Sequence, residues 1–237
     1  MKKIILGLLI GVLVVLGGCL DDDGYSLSNM WVGFGVLKQT GPDPVEYQIV
    51  MDNDNLLIPV SSVWYHNSYY GDSQLGDGDR ILVNYTIIGD NSDGIADASE
   101  YYVKINSIKK VLMKDIINIT PENQDSIGND PVIVRDVWVT DSLLNFKIKY
   151  WGYDQTHFIN LVKQPGAITE ASQPIELELR HNKNSDDESI PYSAYVSFKL
   201  NKLEIAGLDS IQFKVTATDY EGNDFEYEGV YHYGENN

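Results

Sequence analysis

From Leu144 to Tyr150 apolar and polar residues alternate without a break. Leu144, Phe146, Ile148 and Tyr150 fall on one side, and Asn145, Lys147 and Lys149 on the other. Successive side chains of a β-strand point to opposite faces, so this pattern predicts a strand with one face buried and one face in water. The pattern recurs. Ile175, Leu177 and Leu179 alternate with Glu176 and Glu178, and Ile211, Phe213, Val215 and Ala217 alternate with Gln212, Lys214, Thr216 and Thr218. Asp219 to Asp224, with Glu221-Gly222-Asn223, reads as a hairpin turn. Phe225, Tyr227, Tyr231 and Tyr233 then continue an aromatic face. About seven strands spaced in this way predict an antiparallel β-sandwich of immunoglobulin-like type. Helix is nearly absent, its best candidate being a turn or two around Leu203 to Leu208.

The first half also reads as strand: Met30 to Lys38, Val45 to Asp52, Leu56 to Val60, Arg80 to Gly89 and Glu100 to Met113 are rich in β-branched and aromatic residues. Turn clusters such as Gly76-Asp77-Gly78-Asp79 and Asp90-Asn91-Ser92-Asp93-Gly94 punctuate them. Five strands in about 85 residues predict a small barrel. A polar, proline-bearing stretch from Ile119 to Pro131 shows no periodic face and reads as a linker. The whole is expected to be all-β, with a barrel over residues 29–118, a linker over 119–131 and a sandwich over 132–237.

Ahead of the first strand, Lys2 and Lys3 precede an uncharged apolar run from Ile4 to Leu16, followed by Gly17, Gly18 and Cys19. That is the layout of a signal peptide over residues 1–18. The apolar run is shorter than the about 20 residues that a membrane-spanning helix needs. Leu16-Gly17-Gly18-Cys19 resembles the lipobox of bacterial lipoproteins, which implies that Cys19 is acylated and that residues 19–28 tether the protein to a membrane. Each buried methylene of an acyl chain contributes about 0.8 kcal/mol, so two or more chains hold essentially permanently. Cys19 is the one cysteine of the 237 residues, so no internal disulfide can form. Asp21, Asp22 and Asp23 then resemble the acidic signal that carries lipoproteins of Bacteroidetes-type bacteria to the outer face of the outer membrane.

The formal net charge is −18, from 17 basic and 35 acidic residues. Arg80, Arg135 and Arg180 are the only arginines, and they are spread far apart. A nucleic-acid binder must neutralise phosphates with clustered bases, so nucleic acid is excluded as a partner. The four histidines, His66, His157, His181 and His232, are distant in sequence and lack zinc-ligand spacing. No Gly-x-Ser-x-Gly elbow and no phosphate-binding glycine loop occurs. Glu176 and Glu178 are two apart on a solvent face, which is not the arrangement of a glycosidase pair. A hydrolase is therefore the least supported reading, and no catalytic residue is expected.

Three sets of residues remain as candidates. Asp90, Asp93 and Asp97 lie in a loop that partly fits a calcium-binding pattern, although Gly89 stands where a first carboxylate belongs; calcium is the only cofactor the sequence raises. Trp64, Tyr65, His66, Tyr69 and Tyr70 crowd the long stretch between two barrel strands, and aromatic rings of this kind stack on sugars or protein. Ser126, Ser142 and Ser210 each sit in an Asp-Ser-aliphatic triplet that resembles the O-glycosylation motif of exported Bacteroidetes proteins, and that also reads as a turn entering a strand.

Several segments carry a wider resemblance: Asp21-Asp22-Asp23-Gly24-Tyr25-Ser26-Leu27, Trp31-Val32-Gly33-Phe34-Gly35, Gly78 to Tyr85, and Leu179-Arg180-His181-Asn182. They resemble the NigD-like family of Bacteroidetes lipoproteins over most of the mature chain. The resemblance implies an OB-type barrel followed by a β-sandwich. It also implies a non-catalytic surface lipoprotein acting in binding or protection, in one setting against a bacteriocin. A glycan-binding accessory role is the alternative. The expected partners are the membrane, through the lipid, and a protein or glycan.

Overall fold

The computed structural model describes residues 25–41, 47–60, 75–91 and 99–234. Five strands, β1 (Trp31–Gln39), β2 (Tyr47–Met51), β3 (Leu56–Pro59), β4 (Arg80–Asp90) and β5 (Glu100–Lys110), close into a barrel in the order β1-β2-β3-β5-β4. All neighbours are antiparallel except β3 and β5, which run parallel. This is the partly Greek-key closure of an OB barrel. Its core is Ile49, Met51, Leu57, Ile81, Val83, Ile87, Val103, Ile105 and Ile108. Gly35 lies opposite Met51 on the inward face of β1. A Cβ there would stand 2.7 Å from both Ile49 Cγ2 and the Val50 carbonyl oxygen, so only glycine lets β2 come this close.

The chain then passes into nine sandwich strands: β6 (Leu112–Asp115), β7 (Ile117–Asn118), β8 (Ile133–Thr140), β9 (Leu143–Gly152), β10 (Phe158–Lys163), β11 (Ile175–Asn182), β12 (Ile190–Lys199), β13 (Ser210–Thr218) and β14 (Asp224–His232). One sheet has the order β14-β13-β11-β10-β7 and the other β6-β12-β9-β8. The hairpins are antiparallel as the alternation predicts, whereas β11/β13, β10/β7 and β12/β6 pair parallel. Between the sheets lie the residues that the period-two pattern pointed inward, among them Leu144, Phe146, Ile148, Leu177, Leu179, Phe213 and Val215. Each such side chain contributes about 1.5–3 kcal/mol on burial.

Two boundaries differ from the sequence reading. Glu100 to Met113 reads as one strand, but β6 and β7 belong to the sandwich sheets, so the barrel ends at Lys110 rather than near residue 118. Only Val111 separates β5 from β6, and its N–H donates to the Arg80 carbonyl at 2.8 Å. The buried positions Val103, Ile105, Ile108 and Val111 step by two and then by three, so the run carries no single period that would mark the change of partner. The expected linker 119–131 is also packed. It carries the short helix α1 (Gln124–Ile127), and Ile119 and Ile127 bury against Val162 of β10. The helical candidate near Leu203 is a single 3-10 turn, Asn201–Leu203.

The barrel docks on the outer face of the β6-β12-β9-β8 sheet. Arg80 is 1 % exposed and grips Asp52 through both terminal nitrogens, with Nη2 to Oδ2 at 2.6 Å. Arg80 Nη2 also donates to Asn145 Oδ1 at 3.1 Å, and the Ser197 hydroxyl donates to the same oxygen at 2.6 Å. Thr140 Oγ1 donates to Asp52 Oδ2 at 3.2 Å. Phe34 packs between Trp138 and Tyr195, with ring centroids 5.4 and 4.9 Å away, and the Arg80 guanidinium lies 5.3 Å from the Phe34 ring centre. Asn145, which alternation places on the wet face, is buried because the barrel covers it.

Removing one partner of a buried pair leaves an uncompensated charge, so Asp52→Ala should cost about 3–5 kcal/mol. The double variant Asp52→Leu/Arg80→Met, which removes both charges, should recover most of that loss. Chemical denaturation of the two variants checks this; equal destabilisation by both would contradict it.

Candidate functional site

At the end of the sandwich farthest along β9 from Asn145, the turns β9–β10, β11–β12 and β13–β14 come together. Continuing the parity of Ile175, Leu177 and Leu179 by one step places His181 inside, and it is 1 % exposed. His157, one residue before β10, stacks on it with centroids 4.9 Å apart. Tyr150 stacks on His157 at 4.7 Å, and Tyr192 stacks on Tyr150 at 5.9 Å. Four rings therefore run from the core to the surface, where Tyr192 is 39 % and Tyr153 is 59 % exposed. The Tyr192 hydroxyl donates to the Tyr153 carbonyl at 3.3 Å and fixes one against the other. Beside them Trp151 meets Tyr220 edge to face at 4.8 Å.

A chain of hydrogen bonds threads the two histidines. His181 Nδ1 lies 2.8 Å from the Pro131 carbonyl, His157 Nδ1 lies 2.8 Å from His181 Nε2, and His157 Nε2 lies 3.0 Å from Asp186 Oδ2. A carbonyl and a carboxylate can only accept, so both outer contacts take a proton from a ring. The nitrogen-to-nitrogen contact takes a third. Two neutral imidazoles carry two, so the neutral pair fills two of the three contacts at any moment. The side chains of His157 and Asp186 are 4 % and 2 % exposed.

Gly152 makes room for this cluster, since a Cβ on it would sit 2.8 Å from both Asp186 Oδ2 and His157 Nε2. Burial by itself would raise the Asp186 carboxyl. The N–H of Tyr153, the His157 ring and the N–H groups of Asp154 and Gln155 overcome that and hold it well below the usual carboxylate range. Burial pushes the His181 imidazole down; the Pro131 carbonyl opposes this and the neighbouring His157 adds to it.

These groups are consumed by one another. Among the described residues no set of three His, Cys, Asp or Glu side chains converges to hold a metal ion. The cluster is a structural bolt under an aromatic tip. The neighbouring segment is strapped to it: Asp130 accepts the Lys183 N–H at 2.8 Å, and Asn182 Nδ2 donates to the Ser126 carbonyl at 2.7 Å.

Among the described residues, Asp90, Ser126, Ser142 and Ser210 lie in separate elements. Cys19, Asp21, Asp22 and Asp23, the aromatic set Trp64, Tyr65, His66, Tyr69 and Tyr70, and Asp93 and Asp97 lie outside the described residues. Asp90 ends β4 and accepts the Tyr25 hydroxyl, a bond that pushes the Tyr25 phenol up to about 12. Ser126 lies exposed on α1 and donates to the Asn123 carbonyl at 2.8 Å. Ser142 occupies the β8–β9 turn and Ser210 opens β13, half-buried. The histidine pair was missed because sequence distance hid it: the two residues are 24 apart and meet through the β10/β11 pairing. Parity along β11 was the available signal.

Barrel, sandwich and aromatic tip define an all-β protein of two fused units without a recognisable catalytic centre among the described residues. Residues 115–230 match the NigD-like C-terminal beta sandwich domain, so the sandwich is a domain of the NigD-like family. Among solved structures it is similar to a protein named as toxin-related from Parabacteroides distasonis, at 27 % identity and a TM-score of 0.68, covering 87 % of this chain and 95 % of that one. A protein of unknown function from Bacteroides vulgatus shows 26 % identity and a TM-score of 0.67, covering 86 % and 91 %. A NigD-like immunity protein from Bacteroides caccae shares the fold at 20 % identity and a TM-score of 0.62, covering 87 % and 99 %. No curated protein is detectably similar in sequence.

The pH dependence of stability has a definite sign here. The folded pKa of His181 is lowered, so its contribution is complete above the unfolded value of about 6.5 and is lost as pH falls below it. That of Asp186 is also lowered, so its contribution is complete above about 3.9 and is lost on further acidification. Thermal melts should fall from about pH 6.5 downward and more steeply below about 4. Asp186→Asn should lower the neutral melting temperature and flatten the lower limb; a limb identical to wild type would show that the carboxylate is not held as described.

Proposed function

We propose that the chain is a lipid-anchored, non-catalytic binding protein displayed on the outer membrane, engaging its partner through the aromatic tip of the sandwich in a protective role. The observation that carries this reading is the contrast at the tip. His157, His181 and Asp186 are spent in holding the turns, while Tyr153 and Tyr192 are left presented to solvent. An active site needs polar groups aimed at an empty position, whereas a recognition surface needs rigid aromatic anchors. The tip also lies far from Tyr25, the first described residue. The chain enters beside Asp90 at one end of β4, Arg80 at the other end of β4 meets Asn145 near the start of β9, and the tip lies beyond the far end of β9. The immunity and toxin-related neighbours are in keeping with protection.

A glycan-binding reading is favoured by one feature of the barrel. Val50 and Tyr102 are exposed on its outer wall around β2, β3 and β5, the side on which OB barrels take up oligosaccharides. Trp64→Ala should then abolish sugar affinity.

The deciding experiment is complementation. A deletion strain challenged with the secreted inhibitors of competing strains should gain sensitivity, and the wild-type gene should remove it. Tyr153→Ser/Tyr192→Ser, with an unchanged melting temperature, should fail to rescue; full rescue by this variant would remove the tip from the function. Protease accessibility on intact cells tests display: the native protein should be cleaved, and the Asp21→Ala/Asp22→Ala/Asp23→Ala variant should be protected.

A further inference from the structure

The most exposed large hydrophobic side chains of the described residues are not at the tip. Leu27 is 74 %, Met30 67 % and Val32 64 % exposed, with Trp31 among them at 52 %. They occupy a built segment. Asn29 N–H donates to the Ser26 carbonyl at 3.0 Å, closing a turn that holds Leu27 at its crest. On one side of this turn the Tyr25 hydroxyl is bonded to Asp90, and on the other Trp31 and Val32 pair with Tyr85 and Asn84 of β4. The pairing of β1 with β2 begins only at Gly35, so residues 31–34 project past β2.

Charge singles out the same place. From Gly24 to Leu37 no residue is ionisable to a charged side chain at neutral pH, in a chain of which 22 % is Asp, Glu, Lys or Arg. A solvated strand start in so acidic a protein gains nothing from an uncharged apolar row. Uncharged apolar residues with a tryptophan among them are what the boundary between lipid headgroups and acyl chains accommodates.

Chain length supplies the occupant. Only seven residues, eight chain steps, separate Cys19 from Leu27. Fully extended they reach at most about 29 Å, and as a flexible chain they average about 16 Å. An acyl group on Cys19 therefore keeps the crest of the turn within reach of the bilayer to which it is fixed.

We infer that Leu27, Met30, Trp31 and Val32 form a second, non-covalent contact with the lipid surface, seating the barrel end against the membrane and directing the sandwich tip away from it. The inference rests on the lipid-anchor reading above. With the barrel locked to the sandwich through Arg80, this contact sets the tilt of the whole molecule, which a single covalent attachment at Cys19 leaves free.

The test uses the full-length acylated protein in phosphatidylcholine vesicles whose acyl chains carry bromine close to the headgroup. Bromine quenches tryptophan only on close approach, so the wild type should lose emission that Trp31→Phe does not lose. Leu27→Ser/Met30→Ser should also escape quenching, with Trp31 still present and the protein still floating with the vesicles. Equal quenching of wild type and Trp31→Phe, both floating with the vesicles, would overturn the inference and leave the anchor intact. A protein that fails to float and whose Cys19 is shown by mass spectrometry to be unmodified would overturn the anchor and the inference together.

Discussion

A guanidinium with 1 % of its surface exposed has to be neutralised and hydrogen-bonded where it sits, and both units of the chain supply partners to the two terminal nitrogens of Arg80, with Nε left unpaired. Asp52 comes from the β2–β3 turn of the barrel and Asn145 from β9 of the sandwich. The Arg80 carbonyl receives the N–H of Val111, the single residue between barrel and sandwich. One residue thus fixes the crossover through its backbone and the docking through its side chain. The remaining donors and acceptors, from Thr140 and Ser197, leave little freedom for the angle between the units. Phe34, Trp138 and Tyr195 close the apolar side of the same junction.

A fixed junction turns two small β units into one directed object. Tyr25 lies at the barrel end beside Asp90, and the ring stack of His181, His157, Tyr150 and Tyr192 lies beyond the opposite end of the sandwich. Mobility at the junction would make the position of the tip independent of the barrel. The tip is stiffened by the same economy as the junction: a buried carboxylate, Asp186, accepts from the His157 ring and from backbone N–H groups. Burying polar groups is costly unless every one finds a partner, and a fully satisfied cluster rigidifies the turns it joins.

Much of this was legible in the residues. The inward sets Leu144, Phe146 and Ile148, and Ile211, Phe213 and Val215, follow from alternation alone, because a strand has two faces and only one can be apolar when the other meets water. The hairpin at Asp219 to Asp224 was legible for the same reason. The NigD-like resemblance rested on short motifs that include the glycine of close approach, Gly35, and the buried Arg80 and His181. Reading Asn145 as solvent-facing failed because alternation cannot know that a second unit will cover the wet face. Reading His157 and His181 as separate failed because their contact is made between strands and is invisible along either one.

The sequence by itself determined the class of structure, the faces of the strands, the lack of an internal disulfide and the strongly acidic charge, since these depend on local periodicity and composition. Only the tertiary structure decided that β5 hands over to β6 at Val111, that three sandwich pairings are parallel, that Arg80 is a junction residue and that two distant histidines share a hydrogen-bond chain with Asp186. Those outcomes depend on which strand lies beside which, and a two-residue period is the same whichever neighbour a strand acquires.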